Sequence, residues 1–286
     1  MLKTQPIKFT RLVGVPELPE VEVVRKGLEQ ILIKQPTLLD IELKRPDLRD
    51  PIPLKKLKTL IGQKVKRVER RAKYLLLWTD KGGMLSHLGM TGTWRVAPKG
   101  DERLHDHIYL HFKGGLRLAY RDPRRFGIFD FVAADDVAAH PRLKILGPEP
   151  LSAEFSGETL WQSLRNKEVA LKVAIMDQKV VVGVGNIYAS EALFAAKIKP
   201  TLPAKKLSLE RANLLVKEIR RILLESIEKG GSSISDFAQT SGDSGYFQNT
   251  FKVYDRAGLP CVVCKQQIKS KVMGGRNTFW CAHCQK

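Results

Sequence analysis

Four cysteines carry the plainest chemistry in this sequence. They are all the cysteines it has, and they fall as Cys261-x-x-Cys264, sixteen residues, then Cys281-x-x-Cys284. Two short knuckles of this kind bring four thiolates to the corners of a tetrahedron, the arrangement zinc takes where it holds structure and does no chemistry. One structural Zn2+ is therefore expected, with His283, inside the second knuckle, exposed and not a ligand. Between the knuckles, KSKVMGGRNTF has a GlyGly pair suited to a β-hairpin, with Arg276 at its tip. A guanidinium there can fork a phosphate, or be only a solvated turn cation. The second candidate is Pro16-Glu17-Leu18-Pro19-Glu20-Val21-Glu22. Taken bare, its two prolines and three acids make a capped helix start.

That segment keeps company with others. Lys73 in RRAKYLLL, His87 and Met90 in HLGMTG, Arg124, Arg125 and Phe126 in DPRRFG, and Asn186 in VGVGNIYASEALF follow it in order. With these motifs and the cysteine knuckles in this order and spacing, the sequence resembles, over residues 16–286, the bacterial formamidopyrimidine-DNA glycosylase family. The related endonuclease VIII group is less similar, since its start is expected to read PEGPE where this chain has PELPE.

The resemblance implies a bifunctional glycosylase and abasic-site lyase of base excision repair. It would remove oxidised purines, chiefly 8-oxoguanine and formamidopyrimidines, from double-stranded DNA. Its nucleophile is an N-terminal proline amine, here Pro16, which attacks C1′ of the damaged nucleotide, expels the base and forms an iminium link that leads to β,δ-elimination. A free α-amine has a reference pKa of about 7.7–8.0 against about 10.4 for lysine, so far more of it is unprotonated near neutral pH. Glu17 would be the neighbouring acid and base, and Lys73 would assist and contact the phosphate side. Their plain readings are a helix-dipole carboxylate and a strand cation. By the same resemblance Arg276 grips phosphate beside the lesion and belongs with the catalytic set.

The chain departs from the family pattern in one respect. Fifteen residues precede Pro16, and as written its nitrogen is an amide with no basic lone pair. Val15 is what a GUG codon reads when treated as internal, so a misplaced start, with residues 1–15 an extension, is the expectation. A leader cut between Val15 and Pro16, or an inactive variant that only binds lesions, are the competing readings.

A base inside a duplex is out of reach of C1′ attack, so such enzymes turn the nucleotide out and fill the space it leaves. By similarity Met90 fills the void, Phe126 wedges the stack, and Arg124 hydrogen-bonds the orphaned partner base. Ordinary core packing is the other reading of Met90 and Phe126, although the polar DPRR context argues that Phe126 is exposed. Asn186 opens a helix after Gly183 and Gly185, where small residues would let phosphate approach free N–H groups. His87 also joins the DNA-binding set. Lys172 in ALKVAIMD matches a family position near the lesion, or is a solvated helix lysine. His105 and His107 touch phosphate or are plain strand histidines. Residues 230–250 are rich in Gly, Ser and Asp, and in the resembling family the corresponding loop closes over the flipped base, with Ser241 to Tyr246 offering backbone N–H groups.

The elements that must hold these residues follow from periodicity. Val21, Val24, Leu28 and Ile31 are spaced for a helix over 19–32. Residues 37 to about 133 form short alternating runs such as KVKRVERR, KYLLLWT, HIYLHF and LRLAY between Gly, Pro and Asp clusters, an antiparallel β pattern. GPEPL at 147–151 reads as a linker, and Ser208 caps a helix over 208–229 with Leu215, Ile219, Ile222, Leu223 and Ile227 on one stripe. The fold class is therefore α+β. An N-terminal helix and antiparallel β-sandwich (16–146) precede a helical domain (152–250), which the resemblance implies is a helix–two-turns–helix, and a four-cysteine zinc finger (251–286).

Composition agrees with a polyanion as partner. The 286 residues hold 49 Lys and Arg against 30 Asp and Glu, a net charge of +19. Residues 1–150 have 29 basic against 18 acidic and residues 151–286 have 20 against 12, so any polyanion is expected to lie against both domains. No uninterrupted apolar run approaches the ~18 residues of a membrane helix. Residues 1–15 lack the apolar core of a secretory signal; they are basic and free of acids, which leaves a short organellar leader as a weak reading. Cysteines confined to the last 26 residues argue for a reducing cytosol, and the resemblance implies a bacterial cytoplasmic protein at the nucleoid, expected as a monomer. A basic RNA-binding protein would explain the charge but not PELPE, HLGM or DPRRFG. A zinc-finger DNA binder with a blocked proline and an oxidised-pyrimidine glycosylase are the rival functions.

Overall fold

The computed structural model describes residues 15–134, 140–231 and 250–286. The expectations placed on residues 1–14 and on Ser241 to Tyr246 lie outside them. Helix α1 (Leu18–Ile31) begins one residue before the sequence-based bound, with Pro19 in its first turn, where a missing N–H costs nothing. Val21, Val24 and Leu28 all face inward. They close one end of a sandwich made of two antiparallel four-stranded sheets, in the orders β1-β6-β7-β5 and β2-β3-β4-β8. The strands are β1 (Leu38–Leu43), β2 (Arg67–Arg71), β3 (Tyr74–Thr79), β4 (Gly82–His87), β5 (Thr93–Val96), β6 (Asp106–Phe112), β7 (Arg117–Arg121) and β8 (Ile128–Val132). A short helix α2 (Leu54–Leu57) bridges β1 and β2.

The core between the sheets is built from Leu38, Ile41, Leu75, Leu77, Trp94, Tyr120 and Phe129 with the α1 stripe. Each such side chain stabilises by about 1.5–3 kcal/mol when fully buried. β3 does not alternate, however. Leu76 and Trp78 on its second face pack with Leu85, Ile128 and Leu143, because the segment after residue 140 covers that face. A continuous YLLLW run is thus a strand buried on both sides.

The helical region contains α3 (Gly157–Leu164), α4 (Leu171–Ile175), α5 (Asn186–Ala195) and α6 (Leu209–Glu228). Ser208 caps α6, its hydroxyl accepting from Arg211 N at 3.3 Å, and Leu215, Ile219, Ile222 and Leu223 are buried along it. Helix α5 is buried on nearly every side, since α4, α6, the start of α1 and the C-terminal hairpin all close around it. That hairpin pairs β9 (Lys269–Met273) with β10 (Arg276–Trp280). Gly274 and Gly275 turn it with φ of +56° and +72°, the left-handed pair a two-residue turn needs.

Two polar clamps fix these parts to one another. Glu149, in the 147–151 segment, accepts from Arg70 Nη1 at 2.7 Å, Arg71 Nη1 at 3.0 Å and Ala72 N at 2.6 Å, tying that segment to the turn between β2 and β3. Glu191 of α5 accepts from Lys252 N, Val253 N and Tyr254 N at 2.8–2.9 Å, pinning the lead-in to the finger. Among the described residues no helix is long and apolar enough to cross a membrane.

Candidate active site

A cleft of about 1000 Å³ opens between the sandwich, the start of α5 and the finger hairpin. Glu17, Lys73, His87, Met90, Phe126, Asn186 and Arg276 all line it, although they come from six separate stretches of sequence. Pro16 is buried at its edge, immediately before Glu17.

Glu17 is the best-held group. It caps α1, yet its carboxylate reaches across to the start of α5, accepting from Gly185 N at 2.8 Å, Ile187 N at 2.9 Å and Tyr188 N at 3.4 Å. This corrects the expectation that the first turn of α5 is left free for phosphate: a side chain of the protein already occupies its positive end. The two glycines have the same explanation. A Cβ on Gly185 would lie 2.3 Å from Cδ of Glu17, and one on Gly183, at φ +78°, would lie 2.5 Å from Leu18. They are small to admit α1. Burial pushes the Glu17 pKa up, Lys73 pulls it back, Glu20 raises it further, and the Ile187 and Tyr188 amides lower it. Burial wins, and Glu17 holds its proton to higher pH than an ordinary glutamate.

Lys73 stands in the turn between β2 and β3, just after Ala72, which takes a left-handed φ of +54°. The Glu149 clamp on Ala72 N sets that turn. Burial lowers the Lys73 pKa, opposed by Glu17 and aided by Arg276. Arg276 opens β10 and is exposed, so the finger delivers a cation to the wall opposite the sandwich. The site thus pairs a carboxyl whose pKa is raised with a lysine whose pKa is lowered.

The remaining candidates divide. His87 accepts from Gly89 N through Nδ1 at 3.0 Å, which leaves Nε2 to donate into the cleft. Burial, with Lys73, Arg49 and Arg142 nearby, pushes its pKa down to about 4, so it is neutral near pH 7. Met90 is half-buried on the cleft wall, and Phe126 is 45% exposed, as its polar context implied. The Arg124 guanidinium lies 4.9 Å from the Phe126 ring centroid, a cation–π stack at the rim. Lys172 is fully buried, so the solvated-lysine reading fails. Its amine donates to Oδ1 of Asn186, and burial and Arg276 bring its pKa down to about 8. Nδ2 of Asn186 donates to Asn277 O at 2.9 Å, which joins α5 to the finger. His105 is not brought to the cleft wall. His107 is a buried strand histidine whose Nε2 meets Asp122 O at 2.9 Å.

The finger thiols satisfy the test for zinc. All four Sγ atoms lie within 4.8 Å of one another, with Cys261 to Cys284 at 3.9 Å and Cys264 to Cys281 at 3.4 Å. A tetrahedron with Zn–S bonds of ~2.3 Å has edges of about 3.8 Å, whereas a disulfide would need ~2.05 Å. Cys261, Cys264, Cys281 and Cys284 are the ligand set for one structural Zn2+, and His283 is exposed.

Sequence reasoning passed over three groups that the fold makes central. Glu20, three residues after Glu17, accepts from Glu17 N at 2.9 Å through Oε2, and a Glu-x-x-Glu capping pattern was visible at that spacing. Tyr188 and Arg49 carried no such signal. Tyr188 is buried among apolar neighbours, and Arg49 lines the cleft from the chain following β1.

Three family models match this chain. They are the formamidopyrimidine-DNA glycosylase N-terminal domain over residues 15–129, its H2TH domain over 146–238, and a zinc finger found in FPG and IleRS over 258–286. A formamidopyrimidine-DNA glycosylase of Bdellovibrio bacteriovorus is 74% identical over 272 residues, covering 95% of this chain and all of the relative. The crystal structure of the MutM (FPG) protein of Thermus thermophilus superposes with a TM-score of 0.85 at 37% identity, covering 94% of this chain and 98% of that one. The Lactococcus lactis FPG in complex with Fapy-dG-containing DNA gives 0.86 at 34%, covering 94% and 100%. On the strength of its fold, its thiol cluster and these matches along nearly its whole length, the chain belongs to the formamidopyrimidine-DNA glycosylase family.

Proposed function

We propose that this protein removes 8-oxoguanine and formamidopyrimidines from duplex DNA and then cleaves the abasic strand, with Pro16 as nucleophile. The observation that carries the reading is Glu17: a buried carboxyl held by three backbone amides at the start of α5, facing Lys73 and Arg276 in one cleft, next to Pro16. The basic balance of both halves of the chain and the Fapy-dG complex of the Lactococcus relative support DNA as the partner.

The nitrogen of Pro16, as a free secondary amine, attacks C1′ of an everted nucleotide, and the base leaves with the C1′–N bond electrons. Glu17, whose pKa burial raises, donates a proton to the sugar ring oxygen or leaving group and afterwards serves as the base. The amine loses its proton, and the C1′–O4′ bond opens with O4′ taking up a proton, which gives the iminium cation; this acidifies the 2′ hydrogen, loss of that proton expels the 3′ phosphate, and δ-elimination then expels the 5′ phosphate. Lys73 and Arg276 stabilise the departing phosphates, and His87 donates a neutral hydrogen bond. Lys172, through Asn186, holds the finger strand that presents Arg276. Met90 fills the vacated stack, Phe126 wedges beside the orphaned base, and Arg124, steadied on the Phe126 ring, reads it. Zinc, bound by the four cysteines, supplies shape to the finger.

The test is borohydride trapping on an 8-oxoguanine duplex, with the full chain beside a version beginning at Pro16. A covalent complex with the Pro16 form alone is expected. Equal trapping by a chain whose Pro16 is still acylated would remove Pro16 from its role. Salt-sensitive binding without trapping by either form would leave a lesion binder.

A further inference from the structure

A buried polar chain runs from α6 through α5 to the reacting end of α1, and the proposed mechanism does not use it. Tyr188 lies in the first turn of α5, 1% exposed among apolar residues. Its hydroxyl donates to Oε1 of Glu20 at 2.7 Å and lies 2.6 Å from Oγ of Ser226 on α6. A phenol has one proton, and a carboxylate can only accept, so the Ser226 hydroxyl is the donor to Tyr188. The other oxygen of Glu20 accepts from Glu17 N at 2.9 Å. Glu20 and Ser226 are 2% and 0% exposed, so these bonds are sheltered from bulk solvent.

The order of atoms is therefore Ser226 Oγ, Tyr188 Oη, Glu20 carboxylate and Glu17 N, the amide that follows Pro16. Around it stand Glu17 on α1, Lys73 from the sandwich and the backbone of Gly231, where an added Cβ would come within 3.3 Å of Glu20 Oε1. Phenylalanine would fill the Tyr188 site as well without burying a hydroxyl, which costs free energy unless it is bonded. The hydroxyl has a purpose at the carboxylate it meets. It fixes the Glu20 rotamer, and Glu20 fixes the peptide joining residues 16 and 17.

We infer that Tyr188 is a positioning residue for the reaction: through Glu20, and backed by Ser226, it aims the Pro16 nitrogen and the Glu17 carboxyl at the anomeric carbon. This rests on the Pro16 reading above. Removing it should slow the covalent step and leave DNA binding alone, because none of the three side chains lines the cleft.

The experiment is single-turnover borohydride trapping on an abasic duplex, using the chain from Pro16, a span that the Bdellovibrio relative matches end to end. Tyr188→Phe is expected to lower the maximal trapping rate about tenfold, the scale of a hydrogen bond to a charged acceptor, with half-saturating duplex changed by less than about twofold. Ser226→Ala should move the rate in the same direction by less. In a Glu20→Gln background, Tyr188→Phe should add less than about twofold, since the two act as a unit. A merely structural tyrosine would lower Tm, leave the maximal rate unchanged, and give its full effect beside Glu20→Gln; that pattern overturns the inference. If Tyr188→Phe does not fold, Ser226→Ala decides by the same criteria. No trapping by the parent protein would overturn the Pro16 reading and this inference with it, whereas trapping by parent and variant at equal rates overturns the inference alone.

Discussion

Helix α5 meets two buried glutamates, and each is held by three backbone amides. Glu17 comes from outside and binds the helix start; Glu191 belongs to the helix and binds the lead-in to the finger. Burial raises the pKa of both, and amide hydrogen bonds oppose it in both. What differs is company, since each carboxyl lines a cavity. Glu17 opens on a cleft and faces Lys73, whereas the cation acting on Glu191 is Lys252 of the segment it clamps. A perturbed carboxyl is thus no mark of chemistry by itself: the same three-amide cradle holds the proposed reacting group at one end and a fastener at the other.

Stripping the metal from the finger tests the fastened end most severely. Structural zinc in such knuckles contributes on the order of 10 kcal/mol, far more than three hydrogen bonds, so chelation should unfold β9 and β10 despite the Glu191 clamp. Hydrogen exchange should show protection lost in the hairpin and retained in the sandwich, with trapping abolished as Arg276 leaves the cleft. Protection that survives chelation would mean the clamp and the Cys261 and Phe279 packing suffice without metal.

Replacing Glu17 by Gln keeps an acceptor for the α5 amides but removes the transferable proton. The glycosylase step should fall by about 10²–10⁴-fold, far more than the modest loss of Tm from turning the Gln NH2 against an α5 N–H. A rate loss matched by a large loss of stability would make Glu17 a fastener too, and the contrast would vanish.

Replacing Glu191 by Ala leaves three amides unpaired and should cost about 2–3 kcal/mol of stability. Its kinetic effect should fall on duplex affinity and not on the maximal rate, because it acts through the placement of the finger. Both carboxyls share a pH signature. Their native pKa values are raised, so the stability they contribute is full below about 4.5 and declines as pH climbs through the window up to the raised native value. Glu191→Gln should therefore be less stable than the parent at low pH but lose less of that stability between about pH 4.5 and 7 in urea titrations.

A base in the same cleft has the opposite sign. His87 is depressed from 6.5 to about 4, so its contribution is complete above pH 6.5 and is lost as pH falls through that window. The limit is about 3 kcal/mol. His87→Gln should flatten the acid side of the stability curve over this range, read by urea titration at stepped pH, and a curve unchanged from the parent would separate His87 from that acid loss.

Much of this could be read in order along the chain. The α1 stripe, the Ser208 cap of α6, the GlyGly hairpin and the thiol spacing are local patterns, and each appears within a residue or two of its expected place. Motif spacing also gathered Glu17, Lys73, His87, Met90, Phe126, Asn186 and Arg276 into one cleft. The misreadings share a cause. Gly183 and Gly185 looked like room for phosphate, and the room was taken by Glu17, 168 residues away from Gly185. Of the two readings of Lys172, the solvated helix lysine is the one that fails, because the side chain is buried and bonded to Asn186.

By itself, then, the sequence determined the elements and the metal ligands, because periodicity, capping and ligand spacing act over a few residues. Tertiary structure alone decided which carboxyls have raised pKa values, which lysine loses solvent and where the positive end of α5 points. Those are questions of desolvation and of charge across space, and both depend on segments that fold together from distant parts of the chain.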